Sequence, residues 1–255
     1  MTLIEAGTAI LVTGASGGIG TEIAEQAGRA GALVGVHGSR PESAQAAIDD
    51  LRRKVPTGHF IPLSADARDF PAMRAMVNEF ARTAGRLDAL VDCAVTGPES
   101  VTGPFRNLDP QVFGVHNAMS IGVLENVCFA ALPHLAERGG AIVAFTSDSG
   151  KFAAPLQTMV GASRAGIIGF VRNLAMELAR DGIRVNCVSP SFVEGTPIFE
   201  RFTQKAGERA DRSRSKAGLG LPRPGDIAPL VLFLCGPNSA KITGQTISVN
   251  GGLNA

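Results

Sequence analysis

Residues 9–29 read AILVTGASGGIGTEIAEQAGR, and the order of residue types in this stretch decides how the whole chain is read. A short apolar run, AILV, passes into the turn TGASGGIG at 13–20, and apolar residues then recur at helical spacing in TEIAEQAG. A strand, a glycine turn and a helix in that order form the context of a phosphate-binding turn. Gly14 permits the tight turn, Gly18 lets backbone approach a pyrophosphate, and Gly20 allows the helix to pack closely on the strand. The N-terminus of the helix then faces the phosphate charge. A purely structural turn would use the same glycines, but the flanking elements favour a dinucleotide.

The same alternation continues outward. The apolar runs ALVGVH, HFIPLSAD, LDALVDCAV, AIVAFTS, IRVNCVSP and QTISVNGG are separated by helix-like segments, among them PAMRAMVNEFARTAG and a long helix from about Pro110 to Glu137. Repeated βα units with β-branched, nearly continuous apolar strands predict one doubly wound parallel sheet of the Rossmann type, about seven strands with helices on both faces. No linker or composition break divides the chain, so residues 1–255 are read as one domain. Residues 191–224 stand out as irregular. They carry Arg201, Lys205, Arg209, Arg212, Arg214, Lys216 and Arg223 against Glu194, Glu200, Glu208 and Asp211. Following a strand's carboxyl end, where ligands bind in such folds, this segment reads as a substrate lid with affinity for an anionic or thioester-linked small molecule. A mobile helix with a solvated charged face is the competing reading.

Composition excludes several classes. A net charge of +1 over 255 residues gives no basic surface for nucleic acid or an anionic membrane. No apolar run approaches the roughly 18 residues of a membrane span, and the opening stretch, with Glu5 early, reads as a first strand rather than a signal peptide. Cys93, Cys128, Cys187 and Cys235 are far apart and lie in apolar segments, as buried thiols of a cytoplasmic protein would. His37, His59, His116 and His134 are equally scattered, so no metal site is expected.

Cofactor choice is read about 20 residues beyond the glycine turn, where an acid would bond ribose hydroxyls and a cation would accept a 2′-phosphate. The second strand ends in Gly38, Ser39 and Arg40 with no acid at its tip, which favours NADP(H). Arg40 as a solvated turn residue beside Glu42 is the alternative.

With TGASGGIG, Asp66 after the third strand, LVDCAV at 90–95, AIVAFTS at 141–147, AGIIGF at 165–170, IRVNCVSP at 183–190 and ITGQTISVNGG at 242–252, the chain resembles the short-chain dehydrogenase/reductase family over its full length. The resemblance implies a cofactor site of Gly14, Ser16, Gly18, Ile19, Gly20, Ser39, Arg40, Asp66, Ala67, Ala94, Arg164, Pro190, Val193 and Thr196. Asp66 and Ala67 would contact the adenine, Ala94 would lie against the adenosine ribose, and Thr196 would sit by the carboxamide. It also implies a homodimer or homotetramer built through the long helices flanking the fifth strand.

The catalytic positions depart from the family pattern. Its chemistry uses a serine, a tyrosine and lysine four residues apart, and an asparagine. Ser147 matches the serine. The family spacing puts Val160 where the tyrosine belongs, Arg164 where the lysine belongs, and Met119 at the asparagine position, with Asn117 two residues earlier. The chain contains no tyrosine. In enoyl-thioester reductases, which the Thr158–Arg164 pattern resembles, the tyrosine position would be Gln157. Dienoyl-thioester reductases, some without the tyrosine, share a similar LQ-x-x-x-G start and a similar SFVEGT segment.

Ketone reduction generates an alkoxide and requires a positioned acid, which valine is not. Reduction of a C=C conjugated to a carbonyl generates an enolate that hydrogen-bond donors can hold while carbon is protonated later. Ser147, Gln157 and Arg164 are therefore the candidate catalytic residues of an NADPH-dependent reductase of an enoyl thioester, enone or related acid. Asp148, Asp92, Cys93 and His116 read as structural. A non-redox isomerase, dehydratase or cyclase, and a silent binding subunit, remain as alternatives.

Overall fold

The computed structural model describes residues 2–94 and 99–254; Val95, within LVDCAV, lies outside them. Seven strands, β1 Ala9–Thr13, β2 Leu33–Gly38, β3 His59–Ser64, β4 Ala89–Asp92, β5 Gly140–Phe145, β6 Ile183–Pro190 and β7 Thr246–Val249, form one sheet in the order β3-β2-β1-β4-β5-β6-β7. Every neighbouring pair is parallel. The order reverses between β1 and β4, where Thr13 pairs with Asp92. That reversal opens a crevice at the strands' carboxyl ends, the usual ligand site of such sheets.

Both faces of the sheet are buried, so the strands need apolar residues at nearly every position. On one face Ile10, Val12, Val34, Val36, Val91 and Val143 pack against α1 (Gly18–Arg29), α2 (Pro41–Lys54) and α8 (Pro224–Cys235). On the other, Leu11, Leu63, Leu90, Ile142 and Val185 meet α3 (Phe70–Ala84), α5 (Val123–Leu135) and α6 (Thr158–Leu178). Half-buried Arg184 closes the end of α8: its guanidinium donates to the Leu234 carbonyl at 2.7 Å and to Ser239 Oγ at 2.8 Å, satisfying a C-terminal group that the helix cannot pair internally.

Two expectations about helices change. The predicted single helix from about Pro110 to Glu137 is instead α4 (Gln111–Asn117), a π-helical turn Ala118–Gly122, and α5. Taken together, Gln111–Leu135 is long and apolar enough to cross a membrane, but Val123, Leu124, Val127 and Ala131 are core residues beneath the sheet. The segment read as irregular holds a 20-residue helix, α7 (Pro197–Lys216), kinked at Ala206. Its few apolar residues make a separate small core, with Phe192 and Phe202 stacked at 4.5 Å between centroids and Phe199 buried beside them. Among the described residues all four cysteines are free.

Candidate active site

The glycine turn is shaped by close approach. Gly14 has φ +63°, and a Cβ there would lie 2.7 Å from the Cys93 carbonyl oxygen; a Cβ on Gly20 would lie 2.5 Å from the Gly14 oxygen. No larger residue fits either place. Gly17 precedes α1 without a side-chain cap, so the first N–H groups of the helix, which have no partner within it, face the crevice. Thr196, at the N-cap of α7, approaches this end: its Cγ2 would stand 3.4 Å from a Cβ on Gly18. Its hydroxyl is already used to cap α7, accepting from the Phe199 amide at 3.2 Å and donating to the Val193 carbonyl at 2.8 Å. Pro190 and Val193 are buried close by in sequence. These residues fit a dinucleotide's pyrophosphate by the space they leave and by the open helix end.

Where the adenosine end is expected, His37 ties the glycine turn to the loop after β3, a contact the sequence did not reveal. The ring is buried between two loops, its Nδ1 accepting the Gly14 amide proton at 3.2 Å and its Nε2 donating to the Ala65 carbonyl at 3.0 Å. Burial lowers its pKa, which keeps the ring neutral, as an acceptor at Nδ1 must be. Ser39 and Arg40 are exposed at the tip of β2, and Arg40 makes no side-chain ion pair among the described residues. Asp66 is exposed and gripped by Arg68, which donates from Nε at 2.9 Å; that contact holds the carboxyl at a pKa of about 2. Ala67 is buried and Ala94 half-buried.

The residues expected to be catalytic lie on the Ser147 loop and α6. Thr146 Oγ1 donates to the Arg164 carbonyl at 2.8 Å. A Cβ on Gly150 would lie 2.6 Å from the Arg164 carbonyl carbon, and one on Gly161 2.8 Å from the Ser149 oxygen. The loop thus lies directly on the helix backbone at the positions that matter. Arg164 is no surface cation: burial depresses its pKa while the charge of Asp92 opposes the shift, and its guanidinium makes no hydrogen bond among the described residues. Asp92 accepts from the Thr13 hydroxyl. Burial raises its pKa to about 6, against that hydroxyl, the Ala94 amide and Arg164.

A pH dependence follows. A carboxyl whose folded pKa lies above its unfolded value contributes stability that is full below the unfolded pKa and is lost as pH rises through the folded one. The difference in unfolding free energy between wild type and Asp92→Asn is therefore expected to shift against the wild type from about pH 4 to about pH 6, by on the order of 2 kcal/mol. Denaturant melts across that range read it, and a pH-independent difference would refute the assignment.

Ser147 and Gln157 line one cavity of about 570 Å³ with Phe152, Phe192 and residues of α7. Ser147 Oγ has no hydrogen-bond partner among the described residues. Gln157 stands at the N-cap of α6, but its side chain forms no cap bond, so its amide is left for the cavity. The residue before it, Leu156, has φ +67°, the sole non-glycine left-handed residue among those described. Its carbonyl is held by the Gly103 amide at 2.9 Å. Such a conformation costs of order 1 kcal/mol or more and persists where surrounding contacts impose it. Asp148, also on this wall, is buried and accepts from Ser189 at 2.9 Å, Ser248 at 3.2 Å, Asn250 at 2.6 Å and Asn254 at 3.2 Å.

Neither residue considered for the asparagine brings an amide inward: Met119 is half-buried and Asn117 is exposed. His116 faces α6 instead. It is buried, its Nε2 lies 3.1 Å from Ser163 Oγ, and Ser163 donates to the Val160 carbonyl at 3.0 Å. Its Nδ1 and the nearby Ser120 hydroxyl are buried without partners among the described residues. Burial and the Arg164 charge lower its pKa.

A family model described as Enoyl-(Acyl carrier protein) reductase matches residues 14–254. The chain is a short-chain dehydrogenase/reductase. This family member is 32% identical over 252 residues to the 3-oxoacyl-[acyl-carrier-protein] reductase FabG of Chlamydia muridarum, covering 96% of each chain. Its fold matches a dehydrogenase/reductase from Sinorhizobium meliloti 1021 with a TM-score of 0.88 at 28% identity, over 100% of this chain and 98% of that one. A 3-oxoacyl-[acyl-carrier protein] reductase from Brucella melitensis with bound NAD matches at 0.87 and 27%, over 99% and 94%. The dehydrogenase/reductase family thus accounts for the chain from the glycine turn to Asn254, and its members' names cover two different reductions.

Proposed function

We propose that the protein is an NADP(H)-dependent reductase of a carbon–carbon double bond conjugated to a carbonyl, as in an enoyl thioester, an enone or a related acid. The observation that carries this reading is Val160, an apolar residue where a ketone reductase of the family keeps its proton donor, together with the uncommitted polar groups of Ser147 and Gln157 in one cavity. When bound, the nicotinamide supplies hydride to the β-carbon of the substrate. The Ser147 hydroxyl and the Gln157 amide donate to the carbonyl oxygen, holding the negative charge that develops there as an enolate. Arg164, fixed by the Ser147 loop, adds a permanent positive charge and donors for ribose hydroxyls. Water then protonates the α-carbon.

The names of the curated relatives support a second reading, 3-oxoacyl reduction. His116, bonded to Ser163 beside the Val160 carbonyl, would then have to supply the proton. Crotonyl and acetoacetyl thioesters offered with NADPH separate the two through loss of NADPH absorbance. Turnover of crotonyl thioester alone supports the first; fast acetoacetyl reduction without crotonyl turnover overturns it. Conversion with NADP⁺ and NADPH alike would mark a non-redox enzyme, and failure to bind either cofactor a silent subunit.

Cofactor preference is assigned to Arg40. Arg40→Ala is expected to weaken NADPH binding by about tenfold while changing NADH binding by less than about twofold, since one charge-assisted phosphate contact is lost. Fluorescence titration with both nucleotides measures it, and equal affinity in the wild type would refute NADP(H) selectivity. The exposed Phe129 on α5 and Met176 on α6 support a homo-oligomer formed through these helices.

A further inference from the structure

The cations of the lid are divided between two sides of α7. Arg214 pairs with Glu194 at 2.6 Å and with Asp211 at 2.9 Å. Arg209, Arg212 and Lys216 instead line the cavity that holds Ser147 and Gln157. Spacings of three, four and seven residues put these three on one helical face. Arg209 is anchored, donating to the Pro155 carbonyl at 3.3 Å and lying 5.8 Å from the Phe202 ring. Arg212 and Lys216 make no ion pair among the described residues. The one carboxylate among the described lining residues, Asp148, has both oxygens taken by four neutral donors. A solvent-open wall with two exposed, unpaired cations and no free acid suits an oxyanion.

We propose that Arg212 and Lys216 form an oxyanion subsite that holds a carboxylate or phosphate carried by the substrate away from its reacting carbon. Arg209 is a positioning residue that ties α7 to the loop before Gln157. The proposal rests on the reading of this cavity as the substrate site, but not on the reaction catalysed there.

The test is calorimetric titration of the protein saturated with NADP⁺, using two matched pairs: pantetheine 4′-phosphate against pantetheine, and glutaconate against its monomethyl ester. At least one anion is expected to bind about tenfold tighter than its mate, a preference falling to about twofold or less in the Arg212→Gln, Lys216→Gln double variant. Arg180→Gln, Lys241→Gln removes the same charge from exposed positions outside the cavity and is expected to keep the preference. Preference for the phosphate alone assigns the anion to a carrier arm; preference for the dicarboxylate alone assigns it to an acid of the substrate itself. The proposal is overturned if neither pair discriminates, or if discrimination survives in the Arg212→Gln, Lys216→Gln protein. Binding is read without turnover, so an intact anion preference in a protein that oxidises no NADPH would remove the reductase reading and leave this one standing.

Discussion

The double substitution Val160→Tyr, Arg164→Lys is expected to raise NADPH-dependent reduction of a 3-oxoacyl thioester by about 10²–10⁴-fold, the usual contribution of a positioned general acid. The gain arises because hydride addition to a ketone leaves an alkoxide, and neither valine nor an arginine that stays charged at working pH can deliver a proton to it. The site is prepared for the change. Thr146 and Gly150 fix the backbone of residue 164, and the side chain at 160 is half-buried one helical turn earlier. A lysine ammonium there would sit near Asp92 and lower the pKa of the adjacent phenol, which arginine's diffuse charge does less well. Val160→Tyr alone is expected to gain less than the pair. Steady-state kinetics on acetoacetyl and crotonyl thioesters measure both variants, and a folded, NADPH-binding double variant with no gain would show that residues 160 and 164 are not the proton-donor pair.

The largest loss of stability is expected from Asp148→Ala, about 3 kcal/mol or more, because four buried or half-buried donors lose their acceptor at once and each unsatisfied group costs of order 1 kcal/mol. For a chain of this size that corresponds to a fall in melting temperature of roughly 6–12 °C. The donors come from β6, β7 and the C-terminal residues Asn250 and Asn254, so the variant should also release the C-terminal segment to protease earlier than the rest of the chain. Asp148→Asn, which keeps one acceptor oxygen, is expected to lose less. Differential scanning calorimetry decides; a change below about 1 kcal/mol would mean that solvent replaces the carboxylate without penalty.

The parts legible in the sequence are those fixed by local pattern. The seven strands announce themselves because a sheet covered on both faces demands apolar residues at almost every position. The glycine turn is legible because Gly14 and Gly20 stand where backbone approaches backbone. Ser147 and Arg164 are singled out by the spacing of the family they resemble, and the structure puts them on the loop after β5 and on α6. What could not be read depends on contacts across long stretches of chain. His116 meets Ser163 over 47 residues, and nothing near His116 signals that partner. His37 sits within the apolar run of β2, and neither of its backbone partners, Gly14 and Ala65, is near it in sequence. For residues 191–224 a helix with a charged face is legible only as one of two readings, because the sequence there is mostly charged and its few apolar residues serve a small aromatic core rather than the sheet. The break after Asn117 was hidden because a π turn needs no proline or glycine pair to announce it.

That break has a geometric consequence. A π turn accommodates one residue more than an α turn while the helix axis carries on. Deleting one residue within 118–122 would let ordinary hydrogen bonding run from α4 into α5 while both helices keep their faces, because the wide turn and the α turn that replaces it each close one revolution. His116 would stay against Ser163 and α5 against the sheet. A residue lost from the ordinary α-helix on either side would instead swing everything beyond it by about 100° around the axis. The wide turn is thus a place where the polypeptide can change length without exchanging the side chain that meets Ser163.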